Sequence, residues 1–408
     1  MSSFDIDAVR SQFPALAGDQ VFFDNAGGSQ TLGSVIETIR DYLSRTNVQL
    51  GATYKTGKLS TERYNAGFAA GARYINAETP EIVFGSSTTQ LLRNISFALT
   101  FSEGDEIIVS SIDHEANIGP WVDLADRLKL TLKWWTPSSS SSSPSPNPNP
   151  ILTAASLAPL LTPRTRLVSC THASNVLGSA NPIAEVAAAV RAGPSPEALV
   201  VVDGVSWAPH RPIDVRALDV DVYAFSWYKV YGPHIAMLYA SPRAQGQMRS
   251  LGHYFKKGNT LEEKIGMAGA SYELLHTIPT ITSYLPQSAA AWSAREAHEA
   301  ALQKTLLSYL VSRPDVTVYG DVTGSPEVRV STISFRVAGW SSQDVVETVE
   351  AATNYGFRWG NFYSPRLVHE LLGLPEDGVV RVSMGHYNTV DEVKGFIDAL
   401  EKYIPQKA

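Results

Sequence analysis

At 408 residues the chain is long enough to bury a large core and to fold as two domains. Hydrophobic residues make up 44% and charged residues 18%, a balance that excludes an intrinsically disordered protein. A net charge of −7 gives no reason to expect nucleic acid or an anionic membrane as partner, and a lone cysteine, Cys170, excludes a disulfide framework and a Cys-rich metal site.

In chain order, "MSSFDIDAVRSQFPAL" carries acids and no apolar h-region, so it does not read as a signal peptide. No apolar run reaches the length of a membrane span. The expectation is a soluble cytoplasmic protein with no membrane partner, no nucleic-acid partner and no metal. Runs at 81–84, 106–110, 130–135, 166–170, 199–203, 220–225 and 235–240 are short, apolar and rich in β-formers, and read as strands. Helical stretches such as 88–99 and 183–191 lie between several of them. Apolar strands separated by helices predict an α/β fold whose mostly parallel sheet is covered on both faces. The Ser/Pro/Asn stretch at 137–150 reads as a solvated surface loop that does not pack. From about residue 289 the pattern changes. A long Ala/Glu-rich helix at 289–313 leads into "VTVYGD", "VRVSTISFRV", a helix at 342–352, "GVVRVSM" and a last helix at 389–403. The predicted organisation is an N-terminal segment (1–20) joining the small domain, a large domain (21–288) and a smaller α+β domain (289–408).

Candidate residues gather just after the strands, at the carboxyl edge of the sheet, where open α/β folds bind ligands. "GSSTTQLLRN" puts Thr88 and Thr89 at the opening of a helix. Its free N–H groups and positive dipole end form a phosphate cradle, or simply an ordinary Ser/Thr cap. "SIDHEAN" supplies His114, a ring to stack on a flat ligand, a proton carrier, or a structural histidine. Asn175, in "CTHASNVLG", is an uncharged donor or a turn former. Asp203 closes "LVVVD", so its carboxylate starts near the core and wants a cationic partner, unless it caps a helix. Lys229, in "SWYKVYGPH", sits at the edge of a core where an ammonium is costly to desolvate. Either it snorkels to the surface, or its lowered pKa lets it form a Schiff base. A phosphate cradle, a stacking ring, a neutral donor, a buried acid and a reactive amine are together the parts that pyridoxal 5'-phosphate requires.

Seven stretches stand in register along nearly the whole chain: "FFDNAGGSQ", "FGSSTTQ", "DHEAN", "THASNVLG", "VVDGVSWAPH", "SWYKVYGPH" and "RVSMGHYNT". On these the sequence resembles the class V, cysteine-desulfurase-like branch of fold-type I pyridoxal-phosphate enzymes. The resemblance implies the fold-type I transferase fold, a homodimer, pyridoxal 5'-phosphate as cofactor and an amino acid as substrate. It implies that Lys229 holds the cofactor, Asp203 pairs with its ring nitrogen, His114 stacks on the ring and Asn175 reaches the phenolic oxygen. Thr88, Thr89 and Ser226 would bind the phosphate. Arg381 would grip the substrate's α-carboxylate with its bidentate fork, and Asn25 would line the substrate pocket.

Departures from the family pattern shape the expected reaction. Ser206 stands where relatives carry Gln, and Tyr228 where they carry His; both keep a hydrogen-bonding group at the cofactor. "GMAGASYE" lacks the Gly-Thr with which many relatives reach the partner subunit's cofactor phosphate. In "GFRWGNFYSPRL", Tyr363 falls about where desulfurases carry their sulfur-accepting cysteine, and is assigned to the substrate pocket. Cys170 ends a core strand and reads as a small buried hydrophobe. The expected activity is a lyase cleaving a bond to the β-carbon, either by β-elimination (a C–S lyase) or by β-decarboxylation with enamine attack on an aldehyde co-substrate. The second outcome enters because "KWWTP", "VDGV…PHRP" and "SWYK…GPH" are similar to a fungal decarboxylative aldolase. A class V aminotransferase, an amino-acid epimerase and a non-catalytic phosphate-ligand binding protein stand as alternatives.

Overall fold

A computed structural model describes residues 4–137 and 147–406. A two-residue strand, β1 (Val21–Phe22), precedes the seven that build the main sheet. These are β2 (Ile82–Gly85), β3 (Glu106–Ser110), β4 (Thr131–Trp135), β5 (Thr165–Thr171), β6 (Leu199–Asp203), β7 (Val222–Ser226) and β8 (Ala236–Ala240), each within about two residues of a predicted run. Their spatial order is β2-β8-β7-β6-β5-β3-β4. Only β8 runs antiparallel to its neighbours β2 and β7; the other pairs are parallel. The carboxyl ends of β2, β3, β5, β6 and β7 therefore meet at one edge.

The continuous apolar runs follow from burial on both faces. Val200 and Val202 of β6 pack with Val168, Cys170, Tyr223 and Phe225 on one side of the sheet. Leu199 and Val201 turn to the other side, with Leu167, Val222 and Ala224. Each such valine or leucine stabilises the fold by roughly 1.5–3 kcal/mol when fully buried. Helices cover the sheet, among them Thr88–Ala98, which buries Leu91, Leu92 and Ile95. Ser87 starts that helix, its side chain accepting the N–H of Gln90.

The later part of the chain adds β9 (Val316–Tyr319), β10 (Thr332–Val337), β11 (Tyr355–Gly356), β12 (Arg358–Gly360) and β13 (Val379–Ser383). Four of these form an antiparallel sheet in the order β12-β13-β10-β9. Helices Ala289–Ser312, Ser342–Ala352 and Val390–Tyr403 share one core with it, through Leu306, Val345 and Phe396 against Ile333, Phe335 and Val382. The sequence ends the N-terminal segment at residue 20, but the backbone pairing with this smaller unit runs further. β1 pairs in parallel with β11, Ser383 donates its N–H to Phe23 O, and Asn25 donates to Ser383 O. Phe23 is part of the same small core.

Most of the expected surface loop, residues 138–146, lies outside the described residues. Its end does pack, contrary to the expectation. Val318 N–H donates to Asn147 Oδ1, Gly320 N–H to Pro148 O, and Ser179 Oγ–H to Asn149 Oδ1. β9 is an edge strand, and the Asn/Pro segment satisfies N–H groups that would otherwise be open to pairing with another chain.

Candidate active site

All nine residues that the sequence assigns to the cofactor line one cavity at the strand ends: Thr88, Thr89, His114, Asn175, Asp203, Ser206, Ser226, Tyr228 and Lys229. Ser87, Ala116, Thr171 and Val205 complete its wall. The cavity is compact, about 80 Å³ against about 660 Å³ for a cleft beside Tyr64, Phe255 and Tyr272 that holds none of the nine. Chemistry marks the site, not volume. Thr88 Oγ1 and Ser226 Oγ share a buried hydrogen bond of 2.7 Å, which brings the start of the helix and the end of β7 together. The first N–H groups of any α-helix lack intrahelical acceptors, so this end is suited to a phosphate.

Lys229 closes a tight turn after β7. Trp227 O accepts the N–H groups of both Val230 and Gly232, and a Cβ on Gly232 would come within 2.5 Å of Ile281. Lys229 is 7% exposed, so the snorkelling reading fails. Burial, reinforced by the charge of Arg381, pushes its amine down to about 8, while Asp203 and Asp24 pull the other way. Asp203 ends β6 and is equally buried. Burial raises its pKa against the N–H of Val205, which donates to Oδ1 at 2.9 Å, and against Lys229. A carboxylate under strain of desolvation, with a cation nearby, is poised to hold a proton on a basic ligand atom.

His114 accepts the N–H of Ala116 on Nδ1 at 3.0 Å, so the neutral ring carries its proton on Nε2. Burial and the charges of Lys229 and Arg381 push its pKa down to about 4, so it remains neutral at ordinary pH. The adjacent Asp113 is fully buried and raised to about 7, first by burial and also by Asp203; Asn117 Nδ2 donates to its Oδ2 at 2.7 Å. Asn175 donates Nδ2–H to Phe362 O at 2.8 Å and accepts Ser364 Oγ–H on Oδ1. One amide hydrogen of Asn175 remains for a ligand.

The three residues assigned to the substrate are placed differently. Arg381, on β13, is buried and does not line the cavity. Its Nη1 donates to Asn175 O, its Nη2 to Asp24 Oδ1 at 2.8 Å, and the ring of Phe362 lies 3.7 Å from its guanidinium carbon. Burial brings its pKa down to about 10. Asn25 departs from its expected role. Its Nδ2 donates to Phe22 O, Ser383 O and Asn388 Oδ1, and its Oδ1 accepts the hydroxyl of Tyr387. These bonds tie it into the framework, where it joins β1 to β13, and it is not among the residues that line the cavity. Tyr363 is exposed, with its ring 5.3 Å from that of His114. Phe362 and Tyr363 both have positive φ, 52° and 59°, a strained choice for bulky residues. The strain is held by Glu115 N–H donating to Tyr363 O, and by the bonds to Asn175.

Sequence reasoning missed Asp24 and Phe362, although both sit inside stretches it quoted; a charge paired across the fold leaves no local pattern. The residues present fit pyridoxal phosphate: a cradle of hydroxyls at a helix start, a flat neutral ring, a buried acid and a lysine with a lowered pKa share one cavity. The chain matches the family model for aminotransferase class-V over residues 21–396. It is 52% identical over 405 residues to the aminotransferase-like protein FGM3 of Gibberella zeae, covering 98% of both chains. It is 40% identical over 405 residues to the cysteine desulfurase-like protein ustD of Aspergillus flavus, covering 98% of this chain and 91% of that one. Among solved structures, the cysteine desulfurase CsdA of Escherichia coli aligns with a TM-score of 0.83 at 25% identity, over 98% of each chain. The strand-end cavity and these matches together make the chain a member of the aminotransferase class-V family.

Proposed function

We propose that the protein is a pyridoxal-phosphate enzyme that cleaves a bond to the β-carbon of an amino acid without a protein persulfide. When bound, the cofactor supplies an electron sink next to the substrate's Cα. Lys229 holds it, and Nζ, once free, takes the Cα proton; a pKa near 8 suits that role at neutral pH. Asp203 keeps a proton on the ring nitrogen by supplying the opposite charge. His114, neutral, covers the ring face, and Asn175 donates its free amide hydrogen to the phenolic oxygen. Thr88, Thr89 and Ser226 would hold the phosphate end, Ser206 and Tyr228 would offer hydrogen-bonding groups to the cofactor from the cavity wall, and Arg381 would meet the substrate's carboxylate.

The observation that carries the lyase reading is the fate of sulfur chemistry. The chain's single cysteine, Cys170, is fully buried and its thiol is pushed well up, chiefly by burial. Tyr363 occupies the tip of the loop beside His114. A departing β-group must therefore leave as a free molecule. Mass spectrometry of products from single amino acids, with and without an aldehyde, tests this. Free sulfide, ammonia with a keto acid, or an aldol adduct supports it; a keto acid formed only with a second amino-group acceptor identifies an aminotransferase, and a D-amino acid an epimerase.

Two further expectations belong to this reading. A homodimer is supported by Tyr254, Phe255 and Met267, which expose apolar surface on one stretch of chain, and light scattering checks it. A cytoplasmic setting suits a lone free thiol. Among the described residues no helix is long and apolar enough to cross a membrane.

A further inference from the structure

Asp24 stands between two arginines. Its Oδ1 accepts from Arg381 Nη2 at 2.8 Å, and its Oδ2 lies 3.8 Å from Arg358 Nη1. The two cations differ in setting: the Arg381 side chain is 3% exposed and that of Arg358 50%. Phe362 lies against both, 3.7 Å from the guanidinium carbon of Arg381 and 5.8 Å from that of Arg358. Gly27 gives the carboxylate its room, because a Cβ there would come within 2.7 Å of Asp24 Oδ2. Nε of Arg381 is buried and has no hydrogen-bond acceptor among the described residues.

The charges do not balance. Two guanidiniums share one carboxylate, so the cluster is one anion short. A buried arginine left unpaired is expensive, whereas a half-exposed one is satisfied by water. Arg381 therefore has to keep a carboxylate throughout, and Arg358 is the member able to wait for one.

We propose that the α-carboxylate of the amino-acid substrate replaces Asp24 on Arg381 while Asp24 passes to Arg358, which makes Asp24 a specificity-determining residue. The exchange leaves both ion pairs complete, Asp24 already lying between the two guanidiniums. The incoming carboxylate also satisfies the buried Nε, giving the bidentate contact that Asp24 does not make. An amine lacking a carboxylate cannot displace Asp24. The class selected is thus α-amino acids over simple amines. This inference rests on the amino-acid reading above.

The test uses calorimetric binding to the holoenzyme of L-alanine, which has no side-chain group for the pocket to recognise, and of ethylamine, its counterpart without the carboxylate. Asp24→Asn removes the competing anion and should tighten L-alanine binding about tenfold, equivalent to ~1.4 kcal/mol. Arg358→Gln strands the displaced Asp24 and should weaken L-alanine binding by about the same factor. Ethylamine binding should not change in either variant. Arg358 is half exposed, so this variant carries the test even if Asp24→Asn fails to fold. Weaker L-alanine binding in Asp24→Asn, or no effect of Arg358→Gln, would make Asp24 a mere support for Arg381 and overturn the exchange alone. If wild-type holoenzyme binds neither L-alanine nor any other α-amino acid, the exchange falls together with the amino-acid reading.

Discussion

Thr88, Asp203, Ser226 and Lys229 owe their places to the ends of neighbouring strands, whereas Arg381, Asn25 and Tyr363 owe theirs to contacts between distant parts of the chain. On the strand-end side each residue follows an apolar run by a few positions, and the parallel sheet brings those ends together. On the other side, Arg381 is tied to Asp24 and Asn175, Asn25 to Ser383, Asn388 and Tyr387, and the Tyr363 loop to Glu115. The cofactor end is thus built from local sequence on a rigid sheet. The proposed substrate end lies at the joint between the N-terminal segment, the 361–364 loop and β13. A change of substrate can be made at that joint without disturbing the cradle, which is how one fold comes to carry many reactions.

The strand-end side is broken most directly at its lysine. Lys229→Ala should abolish turnover and remove the visible absorbance of bound cofactor, since among the described residues no other lysine lines the cavity. A borohydride-stable cofactor adduct on another lysine of that variant would show the assignment to be wrong. Asp203→Asn should leave the cofactor bound but slow removal of the Cα proton by roughly 10²–10³-fold, the size of losing one charge-stabilising partner in a desolvated site. Pre-steady-state absorbance separates that step from binding, and an unchanged rate would take Asp203 out of the mechanism.

How much of this could be read before any coordinates follows the same division. The seven main strands and nine cavity residues were readable, because apolar runs and strand-end hydroxyls, acids and lysines are local features. Asn25 was misplaced for the opposite reason. Its motif gives its residue type, but its role depends on Ser383, Asn388 and Tyr387, which no spacing in the sequence connects to it. Asp24 is the same case: adjacent in the motif, its meaning depends on Arg381 and Arg358. The end of the Ser/Pro/Asn stretch misled through composition. Asn147 and Pro148 are poor core residues but good caps for the edge strand β9.

The pH dependence of Lys229 sharpens the comparison, because its cause is burial on the strand-end side. With its pKa down at about 8 from 10.5, the amine is already half neutral near pH 8. Covalent uptake of pyridoxal phosphate by the cofactor-free protein should then rise about tenfold between pH 7 and 9 and level off above, following the neutral fraction. The effect on stability has a definite sign. Between about 8 and 10.5 the unfolded chain holds the extra proton, so this group's contribution to stability rises with pH in that window and is a constant penalty below it. An uptake curve that keeps climbing towards 10.5 would mean a solvated lysine.

The smallest effect is expected at Cys170, on the same sheet as the cradle but on its apolar face. Its side chain packs among Val168, Val202 and Phe225, is fully buried, and belongs to a strand whose last residue, Thr171, reaches the cavity. Trimming the thiol in Cys170→Ala removes one buried sulfur and should lower stability by roughly 1 kcal/mol, read as a small shift in the denaturant midpoint. Turnover with every accepted substrate should stay as it is, because a thiol raised by burial away from solvent is neither a nucleophile nor an acceptor of sulfur. Cysteine offered as substrate should release its sulfur as sulfide. Thiol-reactive labelling after exposure to cysteine decides the matter: a stoichiometric persulfide on Cys170, lost together with activity in Cys170→Ala, would restore a desulfurase and place the reactive sulfur on the side of the molecule that local sequence marks as core.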